Sequence, residues 1–277
     1  MPTLEPARTV TSGVRVAGNG AGPGVAESML LKRLGLPRIW GSDVEGAWSF
    51  MRYWLAPATM ALAPSHAYGG DRMPGTGGAV LAANHLSAVD PPLVGIFSRR
   101  AVWYMTKAEL LAVPIIGELF SFAGGFPIRR GEGDRDGLRT ARELVREGFV
   151  IGIFAEGTRQ RLGYPGPIHP GAVMIAMQES VPVLPVGLES FRWSLRNRRP
   201  CCVVFGEPMR FDDYPRNGPG YRAAARELQA EIVRLWRQAA EALAAEFPPA
   251  LPDGTPRCEW VRAGADVRAW AAPRLSA

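Results

Sequence analysis

 Only three histidines and three cysteines occur in 277 residues, and two of the 32 cations, Lys32 and Lys107, are lysine. Adjacent Cys201 and Cys202, with Cys258 far behind, lack zinc-ligand spacing, so no bound metal is expected and the thiols read as idle in a reducing compartment. No apolar run reaches the roughly 18 residues that a membrane-spanning helix needs. The first thirty residues lack a charged start followed by an apolar stretch, which argues against a cleaved signal peptide. There is no Gly-x-Ser-x-Gly elbow for a covalent serine intermediate. Zinc fingers, an RNA-binding aromatic signature and a concentrated basic tail are also missing, so nucleic acid is not an expected partner.

What is present fits a globular α/β protein. Apolar residues make up 47% and charged residues 21%, enough to fill a core. The net charge of +6 and pI near 9.6 suit an anionic membrane surface or a phosphorylated substrate. Four regions are expected: a flexible tail over residues 1–39, an aromatic helical segment over 40–70, a main domain over 71–250 and a Pro-rich C-terminal tail over 251–277. The aromatic segment carries Trp48, Phe50, Met51, Trp54 and Leu55, interrupted by Pro57 and Pro64. It reads either as a helix on the core or as one lying in a membrane interface.

From Gly77 onward, strand-like and helix-like runs alternate. "GGAVLAAN", "AVWYMT", "FVIGIF", "VPVLPVGL" and "CCVVFGEP" read as strands; "PPLVGIFS", "DGLRTARELVREG" and "GAVMIAMQES" read as helices. "AELLAVPIIGELFSFAG" is helical but broken at Pro114, and a long amphipathic helix runs from Tyr221 to about Phe247. The alternation predicts a central mixed sheet covered by helices. Pro182 and Pro185 point to an edge or irregular position for their strand.

Four stretches carry candidate chemistry. In "NHLSAVD", the strand delivers His85 to its C-terminal end, where open α/β sheets bind ligands. Asp90 before Pro91 is a good helix cap, and the same carboxylate could also hold one tautomer of His85. In "GGFPIRRG", Arg129 and Arg130 stand at a strand end, suited to phosphate or simply solvated. In "FAEGTRQR", Glu156 follows a buried strand and needs a hydroxyl or an arginine as partner, while Gly157 permits a tight turn. The proline-bearing strand is the fourth. His66 and His169 read as surface or loop residues.

In this order the stretches resemble the glycerolipid acyltransferase family. The resemblance covers about residues 71–210 and rests on Asn84-His85-x4-Asp90, on "FPIRR" with Arg130 the better-aligned arginine, on Glu156-Gly157-Thr158-Arg159, and on "VPVLPV". Gln160 stands where serine is common, and "TKAELL" resembles the family's intervening segment. The resemblance implies a glycerolphosphate acyltransferase-like fold, no bound cofactor, and an acyl-CoA or acyl-carrier-protein donor. It implies His85 as base and Asp90 as its orienter. Lys107, Arg130 and Arg159 become anion contacts, with Glu156, Gly157 and Thr158 shaping the acceptor site. The implied reaction converts lysophosphatidic acid to phosphatidic acid at the cytoplasmic side of the membrane. Glycerol 3-phosphate, another lysophospholipid or a lyso-aminolipid are alternative acceptors, and a lipid-binding protein or thioesterase is a further alternative.

Overall fold

A computed structural model describes residues 44–107, 125–128 and 135–258. The expected N-terminal tail, the helical segment broken at Pro114, Arg129 and Arg130 lie outside the described residues, as does everything beyond Cys258. Among the described residues, seven strands form one sheet in the order β1-β7-β6-β2-β5-β3-β4. They are β1 Ser65–Tyr68, β2 Ala79–Ala83, β3 Val102–Lys107, β4 Gly125–Ile128, β5 Val150–Phe154, β6 Val183–Glu189 and β7 Cys201–Phe205. All neighbours are parallel except β6 and β7, which makes the expected mixed sheet.

Side chains alternate across β2, so this strand divides the core into two layers. Val80 and Ala82 join the cluster formed with α3 Arg135–Arg146, α4 Gly171–Glu179 and the first half of α5 Gly218–Ala244. Ala79, Leu81 and Ala83 face the other way, onto Leu93, Val94, Ile96 and Phe97 of α2 Asp90–Phe97. Full burial of each Leu or Ile contributes roughly 1.5–3 kcal/mol. Helix α5 starts at Asn217, whose Oδ1 accepts from Gly220 N at 3.0 Å, and buries Leu228, Ile232, Leu235 and Ala239. It lies directly on β6 because residue 187 is glycine: a Cβ there would come within 2.2 Å of the Trp236 backbone nitrogen.

Three features differ from the sequence expectation. Strand β6 is interior, although Pro185 lies within it. The Pro185 carbonyl accepts from Gly206 N at 2.9 Å, so its missing N–H faces that same side, where the β7 ladder has ended at Phe205. The β2 side of β6 therefore keeps its pairing. Helix α1, Val44–Leu62, continues through Pro57. Pro57 and Tyr53, whose carbonyl the proline leaves without its helical donor, are both exposed, and water can serve that carbonyl. Within α1, Trp48 is buried against Gly95 of α2, and Arg52 donates to the Ser98 carbonyl at 2.7 Å; Tyr53 and Trp54 face outward.

The chain from Leu251 to Cys258, placed by its prolines in the expected tail, returns to the sheet. Cys258 N donates to Ala67 O at 2.8 Å, and Leu251 and Thr255 are buried. Cys201 and Cys202 sit in the core of β7, where burial pushes the Cys201 thiol up to about 12.

Candidate active site

The carboxyl ends of β2, β5 and β6 converge, and each supplies one part of the site. Strand β2 ends in Ala83 and runs on into Asn84 and His85. Asn84 is fully buried and bonds both ways to the backbone of β6: its Nδ2 donates to Leu188 O at 2.9 Å, and its Oδ1 accepts from Leu188 N at 2.8 Å. A side-chain amide supplies both a donor and an acceptor, so it matches the backbone N–H and C=O of one residue, which no apolar residue or carboxylate could do. This pair ties the strand end that precedes His85 to the neighbouring strand.

His85 Nδ1 lies 2.8 Å from Asp90 Oδ2. The side chain of Asp90 is fully buried, and Oδ2 also accepts from Leu86 N at 2.7 Å and Ser87 N at 2.8 Å. Oδ1 accepts from Ser87 Oγ at 3.0 Å and from Ser190 Oγ at the end of β6. Asp90 is thus the first residue of α2 rather than its cap: its carboxylate turns back to the amides of the preceding loop and makes no capping bond to the helix. Those donors compensate the cost of burying the charge. An ionised carboxylate only accepts, so Nδ1 is the donor in this pair, and in the neutral imidazole Nε2 carries the lone pair. The imidazole is stacked on Phe154, with centroids 4.2 Å apart, and its side chain retains 17% exposure.

Glu156 acts on the same histidine from below. Its Oε2 accepts from His85 N at 2.7 Å and its Oε1 from Gly166 N at 2.8 Å. Its partners are therefore backbone amides, not the hydroxyl or arginine expected. Burial, only partly offset by those two bonds, pushes its carboxyl up to about 7. Gly157 takes φ +70°, a left-handed turn that also brings its α-carbon close to His169, where an added Cβ would lie 3.2 Å from the ring. The turn is fastened by Gln160 N donating to His85 O at 2.8 Å.

Beside these groups lies a cavity of about 500 Å³, lined in part by Ser87, Thr158, Arg159, Arg161, Phe191 and Arg192. The structure brings His85, Asp90 and Glu156 into one hydrogen-bonded unit and sets Thr158 and Arg159 on the adjoining cavity. Glu156 and Gly157 support the loop without lining the cavity. Lys107 ends β3 opposite Ile128 of β4, and its side chain is not among those described; Arg130 falls outside the described residues. His66 lies in β1, away from the site, and packs on Phe247, which follows α5; His169 is in the loop before α4. Sequence reasoning missed Ser87, Ser190 and Phe154. Ser87 stands three residues before Asp90 inside the motif, a spacing that could have signalled it. No local signal joins Ser190 to a carboxylate 100 positions earlier. Among the described residues, no cluster of His, Cys, Asp and Glu could hold a metal ion.

The fold and site define an α/β protein that presents a carboxylate-oriented histidine at the carboxyl ends of parallel strands. Residues 65–189, which contain the whole constellation except Ser190, match the acyltransferase family. It is 29% identical over 150 residues to a 1-acyl-sn-glycerol-3-phosphate acyltransferase of Bacillus subtilis, covering 53% of this chain and 74% of that one. It is 34% identical over 141 residues to a lyso-ornithine lipid O-acyltransferase of Pseudomonas aeruginosa, covering 50% and 52%. The chain spans less than half the length of the plant relatives it matches. In fold it is similar to the crystal structure of the 1-acyl-sn-glycerophosphate acyltransferase of Thermotoga maritima, with a TM-score of 0.56, 23% identity, and 78% and 88% of the two chains covered.

Proposed function

We propose that this acyltransferase moves a fatty acyl group from an acyl thioester to the free hydroxyl of 1-acylglycerol 3-phosphate, giving phosphatidic acid, with His85 as general base. The observation that carries the reading is the 2.8 Å contact between His85 Nδ1 and the buried Asp90 carboxylate, which in the neutral imidazole directs the free lone pair to Nε2. Nε2 takes the proton of the acceptor hydroxyl as its oxygen attacks the thioester carbonyl. The tetrahedral oxyanion collapses, the carbon–sulfur bond breaks, and the leaving thiolate takes the proton from the imidazolium. Asp90 stabilises that imidazolium while it lasts. Ser87 donates its hydroxyl to Asp90, which argues for direct transfer rather than a serine-bound acyl group.

Arg159, on the cavity wall, suits the acceptor phosphate, and Lys107 and Arg130 are proposed as further anion contacts. Acyl-CoA or acyl carrier protein is the proposed donor. A bilayer-borne acceptor favours peripheral attachment at the cytoplasmic side of the membrane. Among the described residues no helix is long and apolar enough to cross one. Exposed Tyr53 and Trp54 on α1 suit an interfacial position, whereas Trp48 belongs to the core. A lyso-aminolipid is the second reading, favoured by the similarity to the Pseudomonas relative.

The test is transfer from labelled acyl-CoA or acyl carrier protein to lysophosphatidic acid, glycerol 3-phosphate or a lyso-ornithine lipid, with wild type beside His85→Ala. Label in phosphatidic acid for wild type alone is expected. Label only in another product refutes the acceptor, label only in free fatty acid indicates a thioesterase, and full activity of His85→Ala refutes the base.

A further inference from the structure

The loop between β6 and β7, "SFRWSLRNRRP" from Ser190 to Pro200, has no acidic residue and four arginines. The loop after β5, "TRQRLGYP" from Thr158 to Pro165, has two arginines and again no acid. The two touch beside the cavity: a Cβ on Gly163 would lie 2.7 Å from the Phe191 ring. Several arginines elsewhere are neutralised: Arg72 by Glu207, Arg142 and Arg146 by Glu179, Arg210 by Asp212 and Arg234 by Glu231. Arg159, Arg161, Arg192, Arg196, Arg198 and Arg199 are exposed, and among the described residues none is paired with a carboxylate.

Large apolar side chains stand exposed among these charges. Leu162 is 73% exposed, Tyr164 51% and Leu195 63%, and half of the exposed large hydrophobics among the described residues fall in these two loops. The β6–β7 loop is also held in shape. Asn197 Oδ1 accepts from Ser194 N and Arg199 N at 2.9 and 3.2 Å, and its Nδ2 donates to Arg192 O at 2.6 Å. Trp193 Nε1 donates to Leu62 O at 3.1 Å, joining the loop to the end of α1. Arg192 and Arg198 take φ of 60° and 44°, left-handed conformations that persist only where the surroundings impose them. A loop built this way loses little freedom when it binds.

We infer that these two loops form a docking face for an anionic bilayer, with Leu162, Tyr164 and Leu195 entering the interface and the arginines meeting lipid phosphates. This rests on the reading that the acceptor is a bilayer lipid. The charge complementarity is the argument for a membrane as occupant: unpaired guanidiniums form bidentate bonds to phosphate, and the interleaved apolar side chains need a non-aqueous neighbour. Docking here would set the cavity mouth against the layer that holds the acceptor headgroup.

Each arginine near an anionic surface contributes roughly a fivefold gain in partition. The triple variant Arg196→Gln/Arg198→Gln/Arg199→Gln of the full chain is therefore expected to bind phosphatidylcholine vesicles containing about 30% phosphatidylglycerol on the order of 100-fold more weakly than wild type. A charge-matched control, Arg222→Gln/Arg226→Gln/Arg237→Gln on α5, is expected to keep most of the binding. Wild-type binding is expected to fall steeply as salt rises from about 0.05 to about 0.5 M. Equal binding of the loop variant and wild type, equal loss in the α5 control, or salt-insensitive binding of wild type each overturns the proposal. Sedimentation with vesicles needs no turnover, so a failure of acyl transfer leaves this test readable, and His85→Ala should bind vesicles as wild type does.

Discussion

Replacing Asp90 by asparagine and by alanine separates its charge from its hydrogen bonds. In Asp90→Ala, the buried amides of Leu86 and Ser87 lose their acceptor. Each orphaned donor costs about 1–3 kcal/mol, so the pair costs about 2–6 kcal/mol. That is a large part of the 5–15 kcal/mol typical of a whole domain. In Asp90→Asn, the amide oxygen can take the place of Oδ2 and keep His85, Leu86 and Ser87, while its NH2 meets the hydroxyls of Ser87 and Ser190, which rotate to accept. The fold is then held with a loss of about 1–3 kcal/mol as charge-assisted bonds become neutral ones. What disappears is the anion beside the imidazolium. At an effective dielectric of about 20, opposite charges about 4 Å apart attract by about 4 kcal/mol. Partial development of that charge in the transition state predicts a fall in kcat on the order of 10²–10³. Urea denaturation and initial rates of acyl transfer check the two halves. Equal destabilisation by Asn and Ala refutes the hydrogen-bond account, and an Asn variant as active as wild type refutes the electrostatic one.

Glu156 makes stability depend on pH. Its carboxyl holds a proton in the folded chain up to about 7, against 4.5 when exposed, so the native state binds more protons across that window. Stability therefore falls as pH rises from 4.5 to 7, by roughly 3 kcal/mol relative to Glu156→Gln, which lacks the titration; a pH-independent difference between the two in denaturant melts contradicts this. Asn84→Ala leaves a buried N–H and C=O of Leu188 without their partners and should cost about 2–4 kcal/mol in the same melts, with Asn84→Asp no better because it cannot donate. Arg159→Ala is expected to raise KM for a phosphorylated acceptor about tenfold or more with little change in its melting curve, and an unchanged KM removes Arg159 from the acceptor site.

The parts legible in the sequence were those with a local signal. Short continuous apolar runs announce β2 and β5, a 3.6-residue period announces α3 and α5, and the heptapeptide from Asn84 to Asp90 carries both members of the histidine–carboxylate pair. What escaped was non-local. Pro185 was read by its missing N–H, without knowledge of which neighbour that side faced. Trp48 and Trp54 look alike in sequence, yet one lies under α2 and the other in water, a distinction made by helix packing. Glu156 was assigned a charged or hydroxyl partner because side-chain types are visible in a sequence and loop amides are not.

The dependence of the site on β6 bears on the order in which the protein matures during synthesis. The heptapeptide bearing His85 and Asp90 emerges from the ribosome long before Leu188 and Ser190. Until β6 slots between β2 and β7, Asn84 lacks the backbone N–H and C=O of Leu188 as partners and Asp90 has one hydroxyl fewer. The close seat of α5 on Gly187 defers the matter further, since β6 gains its cover only when the last long helix forms. A nascent or truncated chain ending before residue 183 thus carries both residues of the pair but lacks the bracing that Leu188 and Ser190 supply. The full bracing of the pair is therefore a property of the completed sheet and not of the heptapeptide.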